Sequence, residues 1–232
     1  FVDEPDPDVW SDPYWSTRSS HPGTYWKRLL SRNPNYGRRL VKVYEGYADQ
    51  AEGQYWVING HHYNSGCCFD YGNAETDSRD DGNGTMETTY YGNATGWYRG
   101  IPPGPWIMTD QENNLVGCVN PGSPSKLCAD LPSITWRFVT AMADGEPHHW
   151  TSMGGDAQRG VLSVMFDGPR VNATYDPMRK QGAILLGNGG DNSNGSQGTF
   201  YEGAMTAAGT FPTDATDQLV QANVVAAEYD MP

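Results

Sequence analysis

With 232 residues the chain can form one large domain, and its Gly (28), Tyr (14) and Trp (8) content favours many short strands joined by turns over helical packing. The formal net charge of −13 opposes phosphate binding, which argues against nucleic acid as a partner and agrees with a secreted, extracellular protein working on neutral polymers. No apolar run approaches the roughly 18 residues needed to span a bilayer, so no membrane partner is expected.

Residues 1–50 differ from everything after them and are expected to be an irregular N-terminal segment ahead of a strand-rich domain at 51–232. The run Asp3-Glu4-Pro5-Asp6-Pro7-Asp8 is acidic and broken by proline, which disfavours any regular element. Trp10, Trp15 and Trp26 follow, and Lys27, Arg28, Arg32, Arg38, Arg39 and Lys42 then gather six of the fifteen basic residues. This reads as a packing or docking segment, with Arg38-Arg39 also readable as a processing site. The chain begins at Phe1, without Met or a signal-like segment, and reads as a processed or excised piece.

From Gly53 the pattern turns strand-like: residues 54–58, then a turn at Asn59-Gly60. His61-His62 and His148-His149 are poor chelating pairs, because adjacent side chains on a strand face opposite sides. Residues 66–75 contain adjacent cysteines, Cys67 and Cys68. Neighbouring cysteines ordinarily bond to separate partners, since a ring closed through one peptide bond is strained; Cys118 and Cys128 would be those partners. Yet Cys118 and Cys128 flank a Pro/Gly/Ser-rich loop that a local bridge would close, leaving Cys67 and Cys68 for each other. A vicinal disulfide is rigid, offers a flat sulfur surface, and carries the kind of strain that collects at functional sites. Two free buried thiols would be out of place in an oxidising compartment.

Residues 86–101 read as a Tyr-rich strand, a Gly-Asn turn, and then Trp97, which is either core or the apolar wall of a sugar site. Residues 106–115 alternate. As one strand they put Trp106, Met108, Asp110, Glu112 and Asn114 on one face, with the carboxylates roughly 7 Å apart. That row makes a poor core face and a good floor for a polar ring, although a solvated edge carrying two acids is the plainer reading. Further strands are expected within 133–141, 160–166, 182–186 and 198–203. The loop at 187–195 carries one acid, Asp191; its spacing fails the EF-hand pattern, and a lone Asp there is ordinarily a turn former. Residues 217–229 carry the single helical pattern, with Leu219, Val220, Val224 and Ala227 on one stripe. Asn83, Asn93, Asn172 and Asn194 each head an N-glycosylation acceptor pattern, which fits a secretory route.

The stretch Cys67-Cys68-Phe69-Asp70-Tyr71-Gly72-Asn73-Ala74-Glu75, together with Trp106 to Leu115, Gly189-Gly190-Asp191-Asn192-Ser193-Asn194-Gly195 and residues 197–203, resembles the catalytic domain of fungal-type α-L-arabinofuranosidase B, glycoside hydrolase family 54, over about residues 52–230. The resemblance implies an all-β, concanavalin-like sandwich of jelly-roll type with a short C-terminal helix, and an enzyme that retains anomeric configuration while releasing arabinofuranose from polysaccharide side chains. It implies Glu112 as nucleophile and Asp191 as general acid/base. It also implies a Cys67–Cys68 disulfide under the sugar, and Trp97, Asp110, Asn113 and Gly190 around it, with no cofactor or metal. In an ideal strand Asn113 would point away from Glu112, so a bulge or a backbone contact is required. The two carboxyls of a retaining enzyme must sit about 5–5.5 Å apart, with Glu112 ionised and Asp191 protonated at rest.

The family's catalytic domain is longer at its N-terminus, and residues 1–50 do not resemble the missing part. Either another chain supplies the missing strands, or residues 1–50 replace them, or the domain serves an extracellular assembly as a non-catalytic carbohydrate-binding or structural protein.

Overall fold

The computed structural model describes residues 46–120 and 125–229; the Pro-broken acidic run, the three N-terminal tryptophans and the basic cluster lie outside the described residues. Ten strands follow in chain order: β1 (Glu52–Asn59), β2 (Asp70–Ala74), β3 (Glu87–Gly92), β4 (Trp106–Asp110), β5 (Leu115–Val116), β6 (Phe138–Glu146), β7 (His149–Asp156), β8 (Ser163–Pro169), β9 (Ala183–Leu186) and β10 (Phe200–Met205). They form two antiparallel five-stranded sheets, ordered β10-β1-β6-β7-β8 and β5-β4-β3-β2-β9. One helix, α1 (Asp214–Ala226), ends the described chain. This is the expected all-β sandwich with a short C-terminal helix.

The alternation read from the sequence decides which side chains enter the interior. Trp56 and Ile58 of β1, Val139 and Ala141 of β6, Tyr71 of β2, Tyr91 of β3 and Ile107 of β4 meet between the sheets. Trp56 lies 4.8 Å from Phe69 and 6.1 Å from Tyr71, ring centre to ring centre. The larger aliphatic side chains among them, such as Ile58, Ile107 and Val139, each contribute about 1.5–3 kcal/mol through the water they shed. Trp150 crosses from β7 to donate its indole N–H to Thr109 Oγ1 at 3.1 Å, as a buried indole requires. The opposite residues of β4, Trp106, Met108 and Asp110, therefore face outward, where a second cluster with Cys68, Tyr90, Leu115, Cys128 and Leu131 covers the first two.

A buried ionic cluster also lies on the inner side. Lys180 reaches Glu87 at 3.0 Å and Glu52 at 3.4 Å, and Arg170 pairs with Glu87. Asn73 Nδ2 donates to Glu52 Oε2 at 2.7 Å. The paired cations outweigh desolvation at Glu87 and hold its carboxyl down at about 2. At Glu52, burial outweighs the more distant Lys180 and the pKa rises to about 7.

Three expectations are corrected. Strand β7 was not anticipated: His149-Trp150-Thr151-Ser152-Met153-Gly154-Gly155-Asp156 lacks a hydrophobic alternation. Its small residues are demanded by packing, since a Cβ on Gly154 would collide with Ile107 Cδ1. The strand expected within 133–141 begins only at Phe138. The helix starts at Asp214, capped by Thr213, whose hydroxyl accepts from Thr216 N at 3.2 Å. It buries Asp217, Gln221 and Val224, while Leu219 of the expected stripe is 66% exposed. Val224 of the stripe packs with Val57, Phe138 and Ala157, with Val220 beside it, and polar side chains add to the docking: Gln221 donates to Asp156 O at 2.8 Å, and Gln218 both accepts from Leu162 N and donates to Leu162 O.

Candidate active site

The outer face of the second sheet carries an uninterrupted group of acids. Asp70 opens β2, Glu75 follows its end, Asp110 closes β4, and Glu112 lies in the turn to β5. The expected single strand over 106–115 thus stops at Asp110. Up to that point the facing is as read, with Trp106, Met108 and Asp110 outward; beyond it the chain turns. Glu112 and Asn113 take left-handed φ values of 66° and 59°, conformations costly for residues with a Cβ and accepted where the surroundings fix them. Asp110 Oδ1 accepts the Glu112 N–H at 2.9 Å, an Asx-type turn. Gly84 N donates to Gln111 O at 2.7 Å, and Tyr175 Oη donates to Glu112 O at 3.1 Å. The turn therefore aims Glu112 independently of strand parity.

The exposed side chain of Asn113 is engaged elsewhere: its Nδ2 donates to Asp80 Oδ1 at 3.0 Å. Trp106 is not a ligand floor. It is 2% exposed beneath the 100–105 segment, with its indole N–H donated to Ile101 O at 2.8 Å.

The Asp191 loop, 187–195, is stitched over this face. Gly187 N donates to Asp70 O at 2.7 Å, Gly195 N to Cys67 O at 3.1 Å, and Asn64 Nδ2 to Gly195 O at 3.0 Å. Inside the loop Gly189 N donates to Ser193 O, and Asp191 Oδ1 accepts from Ser193 N at 2.7 Å. Asp191 is exposed, yet its charge acts on both Asp110 and Glu112. Gly190 is where the loop descends. A Cβ there would strike Glu75 Oε2, lie 2.6 Å from Met86 Sδ and 3.1 Å from Glu112 Oε2, so only glycine lets the backbone approach this closely.

Cys67 and Cys68 are joined to each other across a cis peptide bond, and Cys118 is joined to Cys128. The half-buried Cys67 and Trp97 both pack against the outer cluster. The two sulfurs and the Asp110 carboxylate lie within 4.8 Å of one another. Both sulfurs are spent in the disulfide, so this trio offers a metal no thiolate. The histidines find other partners: His62 contacts Thr199, His148 contacts Asp176, and His149 contacts Asp167 and Glu146.

Burial raises the site acids, and among the described residues no cation offsets it. Glu112 is pushed up to about 11 by desolvation, by donating a hydrogen bond to Glu75, and by the charges of Glu75, Asp110 and Asp191. Asp110 rises to about 8, chiefly through burial, and Asp70 well above the usual range through burial and the neighbouring Asp110, to which it donates. The site thus holds two carboxyl–carboxylate pairs, Asp70–Asp110 and Glu112–Glu75. At Glu112 the upward shift runs against the ionised resting state expected from sequence.

Sequence reasoning quoted Asp70 and Glu75 within the cysteine stretch without giving either a role, and passed over Met86 and Tyr175. Two acids within seven residues of Cys68 were the available signal. Of the glycosylation acceptors, Asn172 and Asn194 are exposed; Asn83 and Asn93 are half-buried, with Asn83 donating to Thr174 Oγ1 at 2.8 Å.

An antiparallel sandwich whose outer face gathers interacting carboxyls beneath a glycine-rich acid loop has the layout of a glycoside hydrolase. The particular family is given by comparison: the chain belongs to the family described as alpha-L-arabinofuranosidase B, catalytic, whose model matches residues 33–230. That match starts ahead of the residue-51 boundary read from sequence. The alpha-L-arabinofuranosidase of Hypocrea jecorina is 56% identical over 182 residues, 78% of this chain and 35% of that protein. A mutant family 54 α-L-arabinofuranosidase soaked with 4-nitrophenyl α-L-arabinofuranoside superposes with a TM-score of 0.75 at 48% identity, covering 82% of this chain and 38% of that one. An arabinofuranosidase complexed with arabinofuranosyl-alpha-1,2-xylobiose gives 0.74 at 49% identity over 79% and 37%. The chain spans about a third of the length of the curated relatives it matches.

Proposed function

We propose that this domain is the catalytic unit of a secreted, retaining exo-acting α-L-arabinofuranosidase that removes arabinofuranose from polysaccharide side chains. The observation that carries the reading is the convergence of Glu112, Asp110 and the Asp191 loop on one face, where the charges of Asp110 and Asp191 act on Glu112 and that of Asp191 acts on Asp110. The family match and the arabinofuranosyl ligands of two structural neighbours supply the sugar class. The two disulfides and four acceptor asparagines support the secretory route.

In this reading the Glu112 carboxylate attacks the anomeric carbon and forms a glycosyl ester, while Asp191, on its exposed loop, protonates the departing oxygen. Water then attacks the ester with Asp191 accepting its proton, so two inversions leave the configuration retained. Asp110 accepts from sugar hydroxyls, the Cys67–Cys68 sulfurs and Trp97 bound the apolar side of the ring, and Gly190 keeps the loop close enough for both acids to act. Asn113 contributes through its left-handed backbone, its side chain being held by Asp80. Because Glu112 rests protonated against Glu75, attack requires that proton to leave it first.

The experiment is proton NMR of 4-nitrophenyl α-L-arabinofuranoside during hydrolysis by the purified protein. The first-formed free sugar is expected as the α anomer. First appearance of the β anomer, or no turnover by the folded protein, overturns the reading.

A further inference from the structure

Glu75 has no role in the mechanism above, yet it is 2% exposed and sits directly against the nucleophile. Thr85 Oγ1 donates to Glu75 Oε1 at 2.8 Å. Its other oxygen, Oε2, is buried without any N–H or hydroxyl donor and faces the Glu112 carboxyl, with Gly190 and Met86 closing the remaining sides. The groups around the pair are Asp110 and Asp191, which are acidic, the neutral Thr85 and Met86, and Tyr175, whose hydroxyl is engaged with Glu112 O. A buried carboxylate oxygen aimed only at another carboxyl is a costly arrangement unless a proton lies between them.

Resting on the reading of Glu112 as nucleophile, we infer that Glu75 is a positioning residue that takes the Glu112 proton, holds it through the glycosyl-enzyme stage and returns it when the ester is cleaved. In the step, the O–H bond of Glu112 breaks and one forms on Glu75 Oε2. The pair keeps a single negative charge, now on Glu112, which attacks the anomeric carbon as the leaving-group bond breaks and Asp191 protonates the departing oxygen. Protonated Glu75 then donates to the ester-side oxygen of Glu112. Hydrolysis regenerates the Glu112 carboxylate, and the proton moves back. Over the cycle the pair neither gains nor loses a proton, so no net proton transfer to solvent is needed from the buried half of the site.

The test is infrared difference spectroscopy at pH 9 on protein carrying ¹³C-labelled glutamate, before and after reaction with an arabinofuranose-configured 1,2-cyclic sulfate. That probe esterifies the nucleophile without needing a proton on the leaving group, because the sulfate stays attached to the sugar. Peptide mass mapping first locates the label; attachment away from Glu112 would refute the proposed function itself. With the label on Glu112, the wild type is expected to keep one glutamic acid carbonyl band that shifts in D₂O, which an ester band does not do. The same band is expected to be absent from Glu75→Gln. Loss of the band from labelled wild type overturns the inference, since the proton would then have left for solvent; this arm does not depend on any variant folding. In kinetics, Glu75→Gln retains a donor to the Glu112 carboxylate and is expected to label within about tenfold of the wild-type rate. Glu75→Leu is expected to fall by about 10²-fold or more at saturating probe, with little change in the half-saturating concentration. Equal behaviour of the two variants also overturns it.

Discussion

The molecule buries acids in two places and treats them oppositely. Between the sheets, Glu87 is met by Arg170 and Lys180 and is held ionised, down at about 2. On the outer face of the second sheet, the charges acting on the buried Glu112 carboxyl are those of Glu75, Asp110 and Asp191, and it is driven up to about 11 by burial and by these acids. Both are essentially removed from water, so burial alone does not distinguish them; the partners do. Glu52, which shares Lys180 at the longer distance of 3.4 Å, falls between at about 7. The inner cluster joins the sheets and gains nothing from reactivity. The outer group keeps protons at carboxyls, where a reaction that moves protons and forms an ester can use them.

Perturbing each region should produce opposite kinds of damage. Asp191→Asn should lower hydrolysis of an alkyl arabinofuranoside by about 10²–10⁴-fold, and that of the 4-nitrophenyl compound much less, because nitrophenolate leaves without a proton. Steady-state kinetics on the two substrates checks this, with thermal stability expected to be unchanged. Arg170→Met should leave Glu87 with one cation instead of two and cost about 3–5 kcal/mol, read as a melting temperature lower by about 10 °C. Gly190→Ala should lower kcat by about tenfold or more, by pressing on Glu75 and displacing the loop from Glu112, a misplacement of the kind that can cost up to about 10²-fold.

The smallest effect belongs to a third acid pair. Asp144 on β6 and Asp217 on the helix are raised to about 8 and about 6, in both cases chiefly by burial; Asp144 also feels the Asp217 charge, and Asp217 that of Asp214. Carboxyls raised on folding stabilise fully below their unfolded values, near 3.8, and that contribution is lost as pH rises through 6 and 8. Melting temperature should therefore decline from pH 4 to pH 8. Asp144→Asn should flatten the decline by about 2–4 °C. A profile that rises over this range in the wild type would contradict the assignment.

How far the sequence exposed this arrangement varied with the physical signal involved. A run of strand-forming residues revealed β1, and alternation revealed that Trp106, Met108 and Asp110 share a face, because both strands are regular up to their ends. It could not reveal β7, where Gly154 and Gly155 serve a close approach between layers and leave no periodicity. It also carried the strand through Glu112, since left-handed φ values at two non-glycine residues leave no mark on a hydrophobic pattern. Glu112 consequently faces the site by virtue of the Asp110 turn and the Tyr175 contact, not by parity. The vicinal pairing of Cys67 and Cys68 was legible because the 118–128 loop offered its own closure. The acid partners Asp70 and Glu75 were in plain view, but a sequence does not say which acids meet a cation. The helical stripe held at Val220 and Val224, which meet apolar clusters, and failed at Leu219, because the docked face is completed by Gln218, Gln221 and Asp217, polar residues that a hydrophobic pattern does not register.

The contrast between the two acid sites is tested most directly by measuring turnover and melting temperature side by side for Glu112→Gln and Glu87→Gln, with 4-nitrophenyl α-L-arabinofuranoside as substrate. Loss of the nucleophile should remove about 10⁴-fold or more of the activity while leaving the melting temperature equal or higher, since one crowded acid has gone. Glu87→Gln should lower the melting temperature markedly, and its folded fraction should still turn over. Turnover by Glu112→Gln within tenfold of the wild type, or a melting temperature that collapses with its activity, would contradict the account.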